Sequence, residues 1–122
     1  MWDSIFIVIP SPSQPVSIME LHGDADTTVP YCGGLFYTYA HGKIPVPGVD
    51  VDVDYWLNAD GLVSNPTPLC TNGSPTPNLF GLNFKSTDGK TEVQFARELG
   101  LAHTFKTWTA ASVWEFFAAH GR

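Results

Sequence analysis

Positive charge is scarce in this sequence. Lys and Arg together number 6 against 12 Asp and Glu, a formal net charge of −6. A chain that holds phosphates by releasing their counterions needs the opposite balance, so nucleic acid and anionic membrane surfaces are not expected partners. Charge of either sign is sparse at 15%, well under the usual quarter, which leaves much of the surface apolar or uncharged polar and points to a partner surface. No apolar run is long enough to span a bilayer. The one near the start, Ile5 to Ile9, also lacks the preceding basic residues of a signal peptide, so no membrane span and no export signal is read here and localisation stays open. Only two cysteines occur, Cys32 and Cys70, and they allow either one disulfide or two thiols.

What is present suits one domain. The 122 residues are too few for two independent cores, and 43% hydrophobic content supplies one. Ile5 to Ile9 reads as a buried strand that Pro10 ends. Pro10, Pro12 and Pro15 then make an extended approach, so residues 1–15 are expected to be a strand and a Pro-rich lead-in. Val16 to Leu21 is mostly apolar on both faces, the pattern of a strand covered on both sides in a parallel sheet. Residues 33–48, broken by Gly and Pro, carry no clear period. Between Val49 and Leu57 an alternating pattern competes with the helical stripe Val49, Val53, Trp56 and Leu57. A helix is favoured, because Asp50, Asp52 and Asp54 cluster at its start and Gly61 follows its end. Residues 64–78, rich in Pro and Asn, read as loop. Phe80 to Phe84 and Val93 to Phe95 flank Asp88-Gly89 as a hairpin. The C-terminal segment predicts a helix burying Ala110, Val113, Trp114 and Phe117, with Thr107 or Thr109 as its cap and Gly121 as its stop.

Two polar loops follow predicted strands, and loops at the carboxyl ends of strands are where open α/β sheets hold their ligands. The first contains Asp26 and the second His103. His22, Gly23, Asp26, Val29, Pro30 and Tyr31 fit the His-Gly-x-x-Asp-x-x-Val-Pro-Tyr pattern of the acid loop of α/β-hydrolase esterases. Gly100, His103 and Thr104 fit the pattern around that family's catalytic histidine. Over residues 5 to 122 the chain resembles the C-terminal half of the polyhydroxybutyrate depolymerase, feruloyl esterase and acetylxylan esterase group. The resemblance implies an α/β fold, a partial α/β-hydrolase sheet made of the C-terminal strands with flanking helices. It also implies a carboxylic ester hydrolase with an ester substrate and no cofactor, in which Asp26 is the carboxylate and His103 the base.

Chain order in such enzymes is nucleophile, acid, histidine, and the nucleophile sits in Gly-x-Ser-x-Gly. No serine of this chain does. The rival reading is a non-catalytic, truncated half-domain that associates with itself or with a partner. In either case a half-sheet leaves an open edge and apolar faces, so a homo-oligomer is expected, with Ile5 to Ile9 or the Trp114 and Phe117 face at the contact.

Other residues have plainer readings. Asp24 is the alternative carboxylate, although it occupies the variable slot of the pattern. His22 is expected to bond backbone near the turn. His22, Asp24 and Asp26 lack a fourth ligand for a metal, and Asp50, Asp52 and Asp54 lack the glycine and terminal glutamate of a calcium loop. Cys32 has no basic neighbour to make it a nucleophile.

Overall fold

The computed structural model describes residues 12–63, 67–106 and 109–121. The expected strand Ile5 to Ile9 and the candidate cap Thr107 lie outside them. Among the described residues the chain is a small mixed α/β domain of two helices and three small sheets. No helix among the described residues is long and apolar enough to cross a membrane.

The main sheet joins β1 (Ile18–Gly23), β6 (Gly81–Lys85) and β7 (Glu92–Glu98) in the order β1-β7-β6. β1 runs parallel to β7, from Ile18 opposite Val93 to Gly23 opposite Glu98. The parallel pairing expected from the two apolar faces of the first strand is therefore present. β6 and β7 form the expected hairpin, with Phe84 opposite Val93 and Leu82 opposite Phe95.

Helix α1 (Val49–Ala59) covers one face of this sheet. Its residues at successive turns, Val49, Val53 and Leu57, are almost fully buried together with Val93, Phe95, Leu69 and Tyr31. Each such side chain contributes about 1.5–3 kcal/mol on leaving water, which decides the contest between helix and strand in favour of the helical stripe. Val51, which a strand would have placed beside Val49 and Val53, is 43% exposed. The helix ends as Gly61 predicts. Gly61 has φ +69°, and the Gly61 and Leu62 amides donate to the carbonyls of Asn58 and Leu57, closing a left-handed cap.

Residues 33–48 prove to be a hairpin of β2 (Gly34–Thr38) and β3 (Gly42–Val46). The predicted loop at 64–78 holds a smaller one, β4 (Cys70–Thr71) and β5 (Ser74–Pro75). Asn72 and Gly73 turn it, both with positive φ, as a tight two-residue hairpin requires. Cys32 and Cys70 form a disulfide with an S–S distance of 2.08 Å, tying the start of the β2 segment to β4. Asp50 reinforces that junction, because its two carboxylate oxygens accept the Leu69 and Cys70 amides at 2.6 and 2.8 Å.

Helix α2 (Thr109–His120) forms where expected but is rotated about its axis. Phe116 and Thr109 are buried, whereas Trp114 is 72% and Phe117 61% exposed. The segment is apolar nearly all round, so periodicity alone does not set its facing. His120 fixes it, reaching Ser17 beside β1 and Glu92 at the start of β7.

Candidate functional site

Because β1 and β7 are parallel neighbours, the loops that follow them leave from the same edge of the sheet. Gly23 lies opposite Glu98 in the register, so the acid loop and the histidine loop begin side by side. Backbone bonds stitch the two together: the Asp24 amide donates to the Glu98 carbonyl and the Ala25 amide to the Leu101 carbonyl, both at 3.1 Å. Gly23 makes this approach possible, since any Cβ there would collide with the Leu101 carbonyl. The glycine after His22 is thus required by the loop that carries His103.

Asp26 is held from both sides. One carboxylate oxygen accepts the Thr28 and Val29 amides at 2.8 and 2.9 Å, a local turn that fixes the side chain against its own loop. The other accepts from Nδ1 of His103 at 2.9 Å, with only 6% of the Asp26 side chain exposed. Burial opposes ionisation of this carboxyl. The bonds from His103 and from the Val29 and Thr28 amides outweigh burial and hold it below the ordinary carboxylate range. An ionised carboxylate only accepts, so the proton lies on Nδ1 of His103 and the Nε2 lone pair is left open. The His103 side chain is 60% exposed, which puts that lone pair within reach of a substrate hydroxyl or a nucleophile. The two residues singled out from the sequence therefore meet across 77 positions of chain.

Asp24, the alternative carboxylate, is committed elsewhere. It accepts from Nε of Arg97 at 2.8 Å and from the Gly100 amide at 2.7 Å. Arg97 also donates to the carbonyls of Thr76 and Leu79, and its guanidinium lies over the rings of Tyr31 and Phe80. Asp24 is thus a clamp that joins the acid loop, β7 and the histidine loop. Sequence reading missed Arg97, and the available signal was the lone cation of the strand Glu92–Glu98.

His22 bonds backbone as expected. A carbonyl only accepts, so Nε2 carries a proton and donates it to the Val29 oxygen at 2.8 Å, which steadies the turn that holds Asp26. Its ring meets Tyr31 edge to face at 5.5 Å. Cys32 is spent in the disulfide. Among the described residues no three His, Cys, Asp or Glu side chains gather as a metal site.

Behind the site, Glu20 of β1 lies within electrostatic reach of Asp52 of α1. Burial, with Asp52 adding to it, pushes the Glu20 carboxyl from 4.5 up to about 8. Burial also raises Asp52, against the pull of His22. Comparison with protein-family models, with curated proteins and with solved structures found no match.

Proposed function

We propose that this chain supplies the acid and the histidine of a serine-type carboxylic ester hydrolase, on a partial α/β-hydrolase sheet similar to the C-terminal half of the polyhydroxybutyrate depolymerase, feruloyl esterase and acetylxylan esterase group. The observation that carries the reading is the 2.9 Å bond from His103 Nδ1 to a buried, ionised Asp26 at the carboxyl ends of adjacent parallel strands. In this arrangement Asp26 fixes the tautomer and stabilises the imidazolium. Nε2 of His103 takes the proton of an attacking hydroxyl and returns it to the leaving alcohol. The attacking hydroxyl comes from a second polypeptide, a second copy of the chain, a segment beyond residues 1–122, or a serine of this chain outside the Gly-x-Ser-x-Gly pattern. Ser17 of the same chain cannot serve, because it precedes β1 while Asp26 follows it, and six strand residues span about 20 Å. The substrate class is an ester with a short acyl or aromatic group, such as those carried on polymers.

A homo-oligomer fits this reading, because the exposed Trp114 and Phe117 of α2 form an apolar surface suited to a contact between copies. The same surface favours the alternative, a self-associating or partner-binding module without catalysis. Hydrolysis of p-nitrophenyl acetate separates them. In a Ser17→Ala background, which removes the Ser17 hydroxyl, the proposal expects turnover above buffer, falling at least 100-fold when His103→Ala is added while the urea midpoint stays within error. Turnover of Ser17→Ala equal to buffer, or unchanged when His103→Ala is added, defeats it in favour of the module.

A further inference from the structure

At the opposite end of the sheet a second cluster of hydroxyl, imidazole and carboxylate assembles from residues distant in sequence. Ser17 stands just before β1 and Glu92 opens β7, and the parallel register brings them together. The Glu92 amide donates to Ser17 Oγ at 3.0 Å. Oγ lies 3.1 Å from Nδ1 of His120, the last residue of α2, and 3.5 Å from the Lys90 carbonyl. Nε2 of the same imidazole faces Oε1 of Glu92 at 3.6 Å, with only 14% of the His120 and 9% of the Glu92 side chain exposed. Oε2 of Glu92 pairs with Lys85 at 3.3 Å.

We infer that Ser17, His120 and Glu92 form a second acyl-accepting site, in which Ser17 is the nucleophile for esters with an apolar acyl group. The chemistry follows from the partners. The Glu92 carboxylate favours the proton on Nε2 of His120, which leaves the Nδ1 lone pair for the Ser17 hydroxyl. This is the logic of an acid, histidine and serine set with the two ring nitrogens exchanged. The Glu92 amide, bonded to Oγ, stabilises the negative charge that grows there as the proton leaves. A serine that merely capped the end of β7 would use that amide, but it would not need an imidazole whose far side meets a buried carboxylate.

The cluster opens on a cleft of about 800 Å³ lined by Pro15, Val16, Ser17, Lys90, Phe116 and Phe117. Val16, Phe116 and Phe117 offer an apolar acyl chain a surface, beside polar groups that include Gln14, Asp88 and Thr91. As the Oγ–carbonyl carbon bond forms, the hydroxyl proton passes to His120 Nδ1. The ester C–O bond then breaks and the alcohol leaves with that proton. Water repeats the sequence on the acyl-serine, releasing the acid and restoring the hydroxyl.

The test is labelling of the whole chain by an alkyl fluorophosphonate, followed by peptide mapping. A label on Ser17 is expected, absent in Ser17→Ala. Labelling should be at least 100-fold slower in His120→Ala, in keeping with the loss of a general base, and should be restored in part by added imidazole. That rescue is a readout that a purely structural histidine would not give. Peptide mapping reads the rate at Ser17 separately from any label on a serine served by His103, so failure here and failure of the Asp26 and His103 reading are told apart. No label on Ser17, or a Ser17 label whose rate ignores His120→Ala, overturns the inference.

Discussion

Glu20 makes the stability of this domain depend on pH in an unusual direction, and the effect is large enough to measure. Its carboxyl lies against α1 near Asp52 and takes up its proton at about 8 instead of 4.5. In the unfolded chain it ionises near the ordinary value. Between about 4.5 and 8 the folded state therefore binds more protons than the unfolded state, and stability falls as pH rises through that window. Fully ionised, a carboxyl so displaced costs about 5 kcal/mol, a large share of the total stability of a domain this size. Asp52, raised for the same reason, acts in the same sense. With a urea slope of about 2 kcal/mol per molar, the midpoint should fall by on the order of 2 M between pH 5 and pH 9. Glu20→Gln keeps the shape and cannot ionise. At pH 5 its midpoint should lie close to the parent's, and at pH 9 it should lie well above. A parent midpoint that is flat or rising over this range, or a Glu20→Gln curve parallel to the parent's, would refute the reasoning.

Three further outcomes are expected. Reduction of Cys32–Cys70, or Cys32→Ser with Cys70→Ser, opens a loop spanning 38 positions and should cost about 4 kcal/mol on the chain-entropy model, seen as a lower melting temperature. Arg97→Met leaves the part-buried Asp24 carboxylate with the Gly100 amide alone and should destabilise by about 3–5 kcal/mol in urea unfolding, whereas a surface pair would cost under about 1. The Asp26 carboxyl, followed by its carbon resonance, should titrate below the ordinary carboxylate range and move upward in His103→Ala. An unmoved midpoint would show that the imidazole does not hold it.

The site was more legible in the sequence than the packing around it. Asp26 and His103 could be singled out because each lies in a loop after a predicted strand and fits the esterase patterns, which set Asp26 above Asp24; that β1 and β7 are parallel neighbours was not legible. Helix α1 was legible once burial of Val49, Val53 and Leu57 was weighed against an alternation that would have buried Val51. The β2–β3 hairpin was not, because Pro45, Gly34 and Gly42 interrupt both periods in a two-stranded sheet that buries little. Asn72-Gly73 did announce a turn, but strands of two residues leave no alternation to read. The facing of α2 was misjudged, since a helix apolar on most sides takes its orientation from a few tertiary contacts, here Phe116 and His120. Such contacts, between Ser17 and Glu92 or between Arg97 and Asp24, join residues more than seventy positions apart and leave no local pattern.

The central claim, that Asp26 and His103 act as one catalytic unit, is tested most directly by a double-mutant cycle on ester hydrolysis. Turnover of p-nitrophenyl acetate is measured, in a Ser17→Ala background, for the parent pair, Asp26→Asn, His103→Ala and the double variant. Groups that act together give losses that do not add, so the double variant should be no slower than His103→Ala alone. Losses that multiply, or single variants as fast as the parent, would contradict the account.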